Sequence, residues 1–288
     1  MDTKINYALE LLPQESLNAV KSFGDLSEID EIRLRVNRPI SISVAEKDLL
    51  LDSVATPSDI EHTFKTAFSY SMHSYSKELA HGYITTRGGN RVGICGTAVT
   101  ATGREGVDTL KYISSINIRI AREVNGCADE VIKTCFSDGL NGVLVVGAPS
   151  SGKTTVLRDI ARQLGNRCKV SLIDELGEIS ATHRNIAQND VGTLTDVFFG
   201  YPKHIGIATA VRVMSPRAMI VDEIGSDEDE KALELAIHSG VRLVTAVHGT
   251  DLEDAKRKPV IQRLIGQSAF QWAVELNPQL GMTVKRID

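Results

Sequence analysis

The sequence has no run approaching the roughly 18 uninterrupted apolar residues that a membrane-spanning helix needs. Its first residues, MDTKINYALELLPQESL, lack the basic stretch followed by an apolar core that marks a secretory leader. These absences point to a cytoplasmic chain and leave surface contact with a membrane open. Cysteine is scarce: Cys95, Cys127, Cys135 and Cys168 form no CxxC pair and no metal-ligand spacing. That excludes a disulfide-stapled or zinc-ribbon scaffold and fits reduced, mostly buried thiols. A surplus of positive charge is missing too. The 32 Lys and Arg stand against 37 Asp and Glu, net −5. Residues 1–140 and 141–288 carry net charges of −4 and −1. Neither half has the basic excess of a dedicated nucleic-acid binder, so nucleic acid is disfavoured as a partner.

What remains is an ordinary globular composition, 42% hydrophobic and 24% charged over 288 residues. It is long enough for one large or two modest domains, each with its own core. No internal repeat or low-complexity tract interrupts it.

Residues 1–125 read as an α+β domain. Glu31–Val36 and Ile40–Val44 alternate polar and apolar residues on either side of Pro39, the pattern of two half-buried antiparallel strands. The spacing predicts a helix from Pro57 to about Leu79, opened by Pro57 and Ser58. Tyr83–Arg87 and Arg91–Val99 flank Gly88-Gly89-Asn90 as a hairpin with a flexible turn. Ile116, Ile118 and Ile120 alternate along a further strand. Residues 126–140, bracketed by Asn125-Gly126 and Asn141-Gly142, read as a linker around a short helical segment.

From 141 to 288 the rhythm becomes strand, loop, helix, which predicts a mostly parallel sheet covered by helices. Val143–Gly147, Val170–Asp174, Ala218–Asp222 and Leu243–Val247 are continuously apolar, as strands buried on both faces are. Helices are expected near Thr154–Leu164 and Glu228–His238, closed by Gly165 and Gly240.

The strongest chemical signal is Gly147-Ala148-Pro149-Ser150-Ser151-Gly152-Lys153-Thr154-Thr155, between an apolar strand and an amphipathic helix. Such glycines let backbone N–H groups turn inward around a phosphate chain, at a helix N-terminus whose dipole favours anions. Lys153 is then placed for the β and γ phosphates of ATP and the Thr154 hydroxyl for Mg²⁺. A second apolar strand ends in Asp222-Glu223, which suits Asp222 for the metal and Glu223 for polarising water. Val170–Asp174 repeats the strand-then-acid pattern with Glu175 and Glu178 beyond it, so Glu175 competes with Glu223 as general base. Leu243–Val247 ends in His248, at the strand ends where open α/β sheets bind ligands. Developing charge on a γ-phosphate also needs cations. Arg212 and Arg217 precede the acidic strand, and Arg87, Arg91, Arg119 and Arg122 in the first domain are possible arginine fingers.

The strings EIRLRVNRPI (31–40), GYITTRGGNRVGICGT (82–97), INIRIARE (116–123), GAPSSGKTTVLRDIARQL (147–164) and VRVMSPRAMIVDEIG (211–225) together resemble the type II and type IV secretion ATPases. Within that group they are similar to the stage III sporulation AA family of endospore-forming bacteria. The resemblance implies a RecA-like P-loop core with an N-terminal α+β domain, an "Asp box" at Asp174, Glu175 and Glu178, and a "His box" at His248. It further implies a hexameric ATPase that powers or assembles a channel complex between mother cell and forespore, with membrane-embedded channel proteins as partners. Two other readings stay open: a nucleotide-gated scaffold with little turnover, and a RecA-like nucleic-acid motor.

Overall fold

The computed structural model describes residues 3–45, 47–68, 82–100, 109–277 and 281–287. They divide into two compact units, Met1–Arg122 and Glu123–Asp288.

The first unit contains helices α1 (Thr3–Leu9), α2 (Gln14–Lys21) and α3 (Pro57–Ala67). Its strands are β1 (Ile29–Arg35), β2 (Arg38–Val44), β3 (Lys47–Ala55), β4 (Tyr83–Thr85), β5 (Arg91–Val99) and β6 (Thr109–Arg119). They form one antiparallel sheet in the order β3-β2-β1-β6-β5-β4. Register explains its core. Ile32 stands opposite Ile42 on one side and Ile118 on the other, and Ile118 opposite Val92, so one apolar row crosses four strands. All four side chains are fully buried. Glu31 and Arg33 alternate with Ile32 and Leu34, as the period of two requires. A capping box between Thr56 and Asp59 starts α3. The helix ends at Ala67, and the rest of the span expected to be helical, residues 69–79, lies outside the described residues.

The Gly88-Gly89-Asn90 turn is not the flexible link its composition suggests. All three residues are buried, both glycines at φ +80°. A Cβ at Gly88 would stand 2.8 Å from the Tyr7 ring. Asn90 is fully buried: its amide donates to Lys4 O at 2.8 Å, its Oδ1 accepts from Ala121 N at 2.9 Å, and its carbonyl accepts from Thr86 N at 2.8 Å. One side chain thus ties α1, the turn and the exit of β6 together.

The second unit runs α4 (Asp129–Cys135), β7 (Val143–Gly147), α5 (Lys153–Gly165), β8 (Val170–Asp174), β9 (Thr195–Phe199), α6 (Lys203–Val213), β10 (Ala218–Glu223), α7 (Asp227–His238), β11 (Arg242–His248), α8 (Leu252–Lys256), α9 (Pro259–Gly266), β12 (Trp272–Asn277) and β13 (Gly281–Arg286). The sheet order is β13-β12-β7-β11-β10-β8-β9, with every pairing parallel except β12 with β13. Strand residues alternate between two cores. Val143, Val145, Leu172, Ile220 and Val244 pack with Leu157 and Ile160 of α5, while Leu144, Val146, Ile173, Met219 and Leu243 pack with Ile207 of α6, Leu233 of α7 and Leu264 of α9. Burial on both faces is why these strands are apolar along most of their length, with Ser171 and Thr245 as buried polar exceptions.

Within residues 126–140, α4 contributes Val131, Ile132 and Cys135 to the same core as α5. Burial pushes the Cys135 thiol up to about 12. Asp159 of α5 is buried and accepts from Ala128 N at 2.8 Å and from the Arg162 guanidinium at 2.7 Å. Burial alone would raise its carboxyl, but these donors outweigh it and hold it below the usual range.

Replacing Asn90 by Ala would leave the part-buried Ala121 N–H without its acceptor and remove the bond to Lys4 O, an expected cost of about 1 to 3 kcal/mol. Urea denaturation of the full chain followed by far-UV circular dichroism checks this, and an unchanged midpoint would contradict the role given to Asn90.

Candidate nucleotide site

The carboxyl ends of β7, β11, β10 and β8 lie along one edge of the sheet, in that order. Gly147 at the end of β7 stands opposite His248 of β11, and Ala246 of β11 stands opposite Glu223 of β10. The phosphate-loop strand and the acidic strand are therefore separated by one strand, about 10 Å from end to end. Asp174 ends β8, the next strand out.

The loop from Gly147 to Gly152 reaches α5 through backbone conformations few residues adopt. Gly152, the residue before the helix, sits at φ +93°, and Ser150 at φ +59°. At Gly147 a Cβ would press on Ser151 Oγ, which would have to turn away, and would sit tightly against Leu276 and Lys153. Ala148 is half-buried, Pro149 and Ser150 are exposed, and Thr154 and Thr155 lie half-buried in the first turn of α5. The loop is held by hydrogen bonds from Ser151 N to Ala148 O at 3.3 Å and from Gly249 N to Gly147 O at 3.3 Å. Lys153 Nζ folds back and donates to Gly147 O and Ala148 O, both at 2.9 Å. Ser151 Oγ is buried without a hydrogen-bond partner. A tight loop with a left-handed glycine before the helix, an ammonium resting on its rim and an orphaned hydroxyl together suit an anionic phosphate chain.

Across from the loop, negative charge is concentrated. Burial pushes the Asp222 carboxyl up to about 6, and Glu178, Asp174 and Glu223 push the same way, with Lys203 opposing them. A divalent cation would relieve that repulsion, so the donor set fits Mg²⁺ held by Asp222 and the Thr154 hydroxyl. Asp174, by contrast, is fully buried and saturated, accepting from Glu178 N at 2.9 Å, Ile179 N at 3.3 Å, Ser180 N at 2.7 Å and Ser180 Oγ at 2.6 Å. It organises the loop after β8. Arg158, in the second turn of α5, fastens that loop through Ile179 O at 2.9 Å and Glu178 O at 2.8 Å. Glu175 and Glu223 are both half-buried at this edge, on β8's loop and β10 respectively.

Arg212 is not brought to this edge within the chain. Helix α6 starts at Lys203, whose Nζ reaches Glu223 O, and runs for 11 residues, about 16 Å, to the opposite edge. Arg212 is exposed in its last turn, and Arg217 N pairs with Lys169 O where β8 begins. The four arginines of the first unit all have local partners. Arg87 lies 4.1 Å over the Tyr7 ring and Arg91 5.0 Å over the Tyr83 ring. Arg119 faces Glu31 at 3.6 Å, and Arg122 reaches Asp30 at 3.2 Å and Ile29 O at 3.1 Å. Residues at the edge that the motif search passed over are Lys203, Thr245, Gly249 and Arg158.

Among the described residues no helix is long and apolar enough to cross a membrane. The model of the family described as "Sporulation stage III, protein AA" matches residues 11–284. Stage III sporulation protein AA of Bacillus subtilis (strain 168) is 36% identical over 285 residues, covering 96% of this chain and 92% of that protein. Among solved structures, the Legionella pneumophila ATPase DotB superposes with a TM-score of 0.58 at 16% identity, over 90% of this chain and 74% of its own. The pilus retraction motor PilT, solved with bound ADP, gives 0.59 at 13% identity over 94% and 80%. These likenesses establish the fold as that of the RecA-like secretion ATPases.

The raised carboxyl makes a stability prediction with a definite sign. A group raised to about 6 in the folded state favours that state when protonated, a contribution present at low pH and lost as the pH rises through 6. Asp222→Asn should therefore stabilise the nucleotide-free protein at about pH 8 by about 1 to 2 kcal/mol, a gain that shrinks toward about pH 5. Melting temperatures at the two pH values decide it; a gain of the same size at both would rule out this origin.

Proposed function

The chain belongs to the sporulation stage III, protein AA family, and we propose that it is a ring-forming ATPase that energises or assembles a sporulation channel complex between mother cell and forespore. The observation that carries the enzymatic part is the Gly147–Thr155 loop and the Asp222-Glu223 strand end, separated by the single strand β11 on one sheet edge. In this reading the loop amides and Lys153 bind the β and γ phosphates, and the Thr154 hydroxyl and Asp222 hold the metal. Bound Mg²⁺ supplies charge neutralisation on the transferring phosphate. Glu223 or Glu175 accepts the proton of the attacking water, a task for which both lie on the correct edge. His248, in register with Gly147, is placed to report whether the γ-phosphate is present.

Because Arg212 stands at the far edge, the positive charge that completes the site comes in this reading from arginines of the N-terminal unit or of a neighbouring copy. Arg87, Arg91, Arg119 and Arg122 are the candidates. A hexamer matches the resemblance to secretion ATPases, and docking on membrane-embedded channel proteins supplies the contact with the septum.

Lys153→Ala should lose ATP binding and turnover together, whereas Glu223→Gln should keep binding and lose turnover by about 10²-fold or more, with Glu175→Gln much milder. Steady-state hydrolysis and equilibrium binding of a fluorescent ATP analogue measure both. The reverse ranking of the two glutamates would make Glu175 the base, and if both hydrolysis-deficient variants still supported the cellular process, the nucleotide-gated scaffold would be favoured. Specific activity should rise steeply with protein concentration; strict proportionality with a monomer under ATP in analytical ultracentrifugation would sink the ring.

A further inference from the structure

The geometry points to Lys203 as a positioning residue: with Thr245 it clamps a β-bulge in β10 and thereby aims the Asp222 and Glu223 side chains. This rests on the ATPase reading of the site and adds a part to it that no motif contains.

The bulge is visible in the register. Between β10 and β11, Val221 stands opposite Thr245 but Glu223 stands opposite Ala246, so Asp222 is an extra residue with no partner of its own on that side. On the other side, the pairing of β10 with β8 stops at Val221 and Ile173. In a regular strand, residues 222 and 223 would point to opposite faces of the sheet, and a bulge is a known way to re-aim such a pair. Two side chains reach the carbonyls of the bulge: Thr245 Oγ1, fully buried, donates to Asp222 O at 3.3 Å, and Lys203 Nζ donates to Glu223 O at 2.8 Å. Both acids of the proposed site are therefore held by their main chain, through side chains from neighbouring elements.

A second observation singles out Lys203. It is the first residue of α6, where the helix dipole disfavours a cation. A lysine at that position loses stability from the helix and gains it only from what its ammonium reaches, here the carbonyl of Glu223 amid the carboxylates of Asp222, Glu178 and Glu223. Shortening or neutralising this side chain frees the bulge, and Glu223 then samples orientations in which it does not meet the water. Affinity for the nucleotide, set by the loop two strands away, does not depend on it.

The test compares Lys203→Met, Lys203→Arg and Thr245→Val with the wild type. Lys203→Met is expected to lower kcat by about ten- to a hundredfold, the scale seen when a catalytic group is misplaced by about 1 Å, with KM and the affinity for a fluorescent ATP analogue changed by less than about threefold. Lys203→Arg, which keeps a cationic donor on a long stem, should recover a large part of the turnover. In the nucleotide-free protein, hydrogen exchange of the amides in residues 222–226 should speed up in Lys203→Met and Thr245→Val and stay near wild type in Lys203→Arg. Wild-type kcat and unchanged exchange in Lys203→Met would overturn the clamp, as would a loss of affinity that parallels the loss of turnover. If the wild type itself turns over no ATP, the hydrolysis reading fails, while the exchange comparison still decides whether Lys203 holds the bulge. Thr245→Val, nearly isosteric, keeps that decision available should Lys203→Met fold poorly.

Discussion

Burial of the central sheet on both faces is the constraint on which the second unit depends. Val143 and Val145 of β7 pack under α5, Leu144 and Val146 pack under the helices of the other layer, and no position along the strand is left for a polar side chain. Chemistry is thereby confined to strand ends. Because β7, β11, β10 and β8 are parallel, their carboxyl ends meet along one edge, and the glycine loop, His248, Asp222-Glu223 and Asp174 arrive there together. The segment Asp129–Cys135 helps seal one of these layers, so it belongs mechanically to the core that supports the phosphate loop.

Concentrating acids at one edge raises an electrostatic difficulty that the structure meets in different ways. Asp174 accepts from four donors, and in doing so folds the loop after β8 back on itself. Asp222 lacks such donors, and its carboxyl is raised. Lys203 is the cation at hand, and it spends its hydrogen bond on a main-chain carbonyl. Helix α5 links these parts, since its first turn closes the phosphate loop and Arg158, one turn further on, grips the loop that Asp174 organises.

The first unit follows a different economy, in which a row of isoleucines across four antiparallel strands supplies the core and polar groups decorate the other face. Its motif-like string RGGNRVG is a buried joint. Gly88 is there because of its positive φ and the Tyr7 ring 2.8 Å from where a Cβ would be, and Asn90 because its side chain joins Lys4 O to Ala121 N.

Much of this was legible along the chain. The apolar runs announced β7, β8, β10 and β11, the glycine-lysine-threonine pattern announced the loop and α5, and the alternation in 31–36 announced β1. Strands β9, β12 and β13 were missed, since Thr195–Phe199 is short and Trp272–Arg286 is half-polar at an edge hairpin. The helical spacing beginning at Pro57 did not reveal the stop at Ala67. Arg212 looked close to the acidic strand because it is ten residues from Asp222; the turn after α6 and the strand β10 lie between them, and the strand runs from one edge of the sheet to the other. Lys203 looked remote for the same reason, being separated from Glu223 by the whole of α6 and β10. Local pattern thus determined which elements form and which strand ends carry the glycine loop and the paired acids, because periodicity and loop geometry are properties of neighbouring residues. Strand order, the bulge at Asp222 and the partners of Lys203 and Asn90 were decided only by tertiary packing, because hydrogen bonds across a sheet join residues whose separation in sequence carries no trace of the contact.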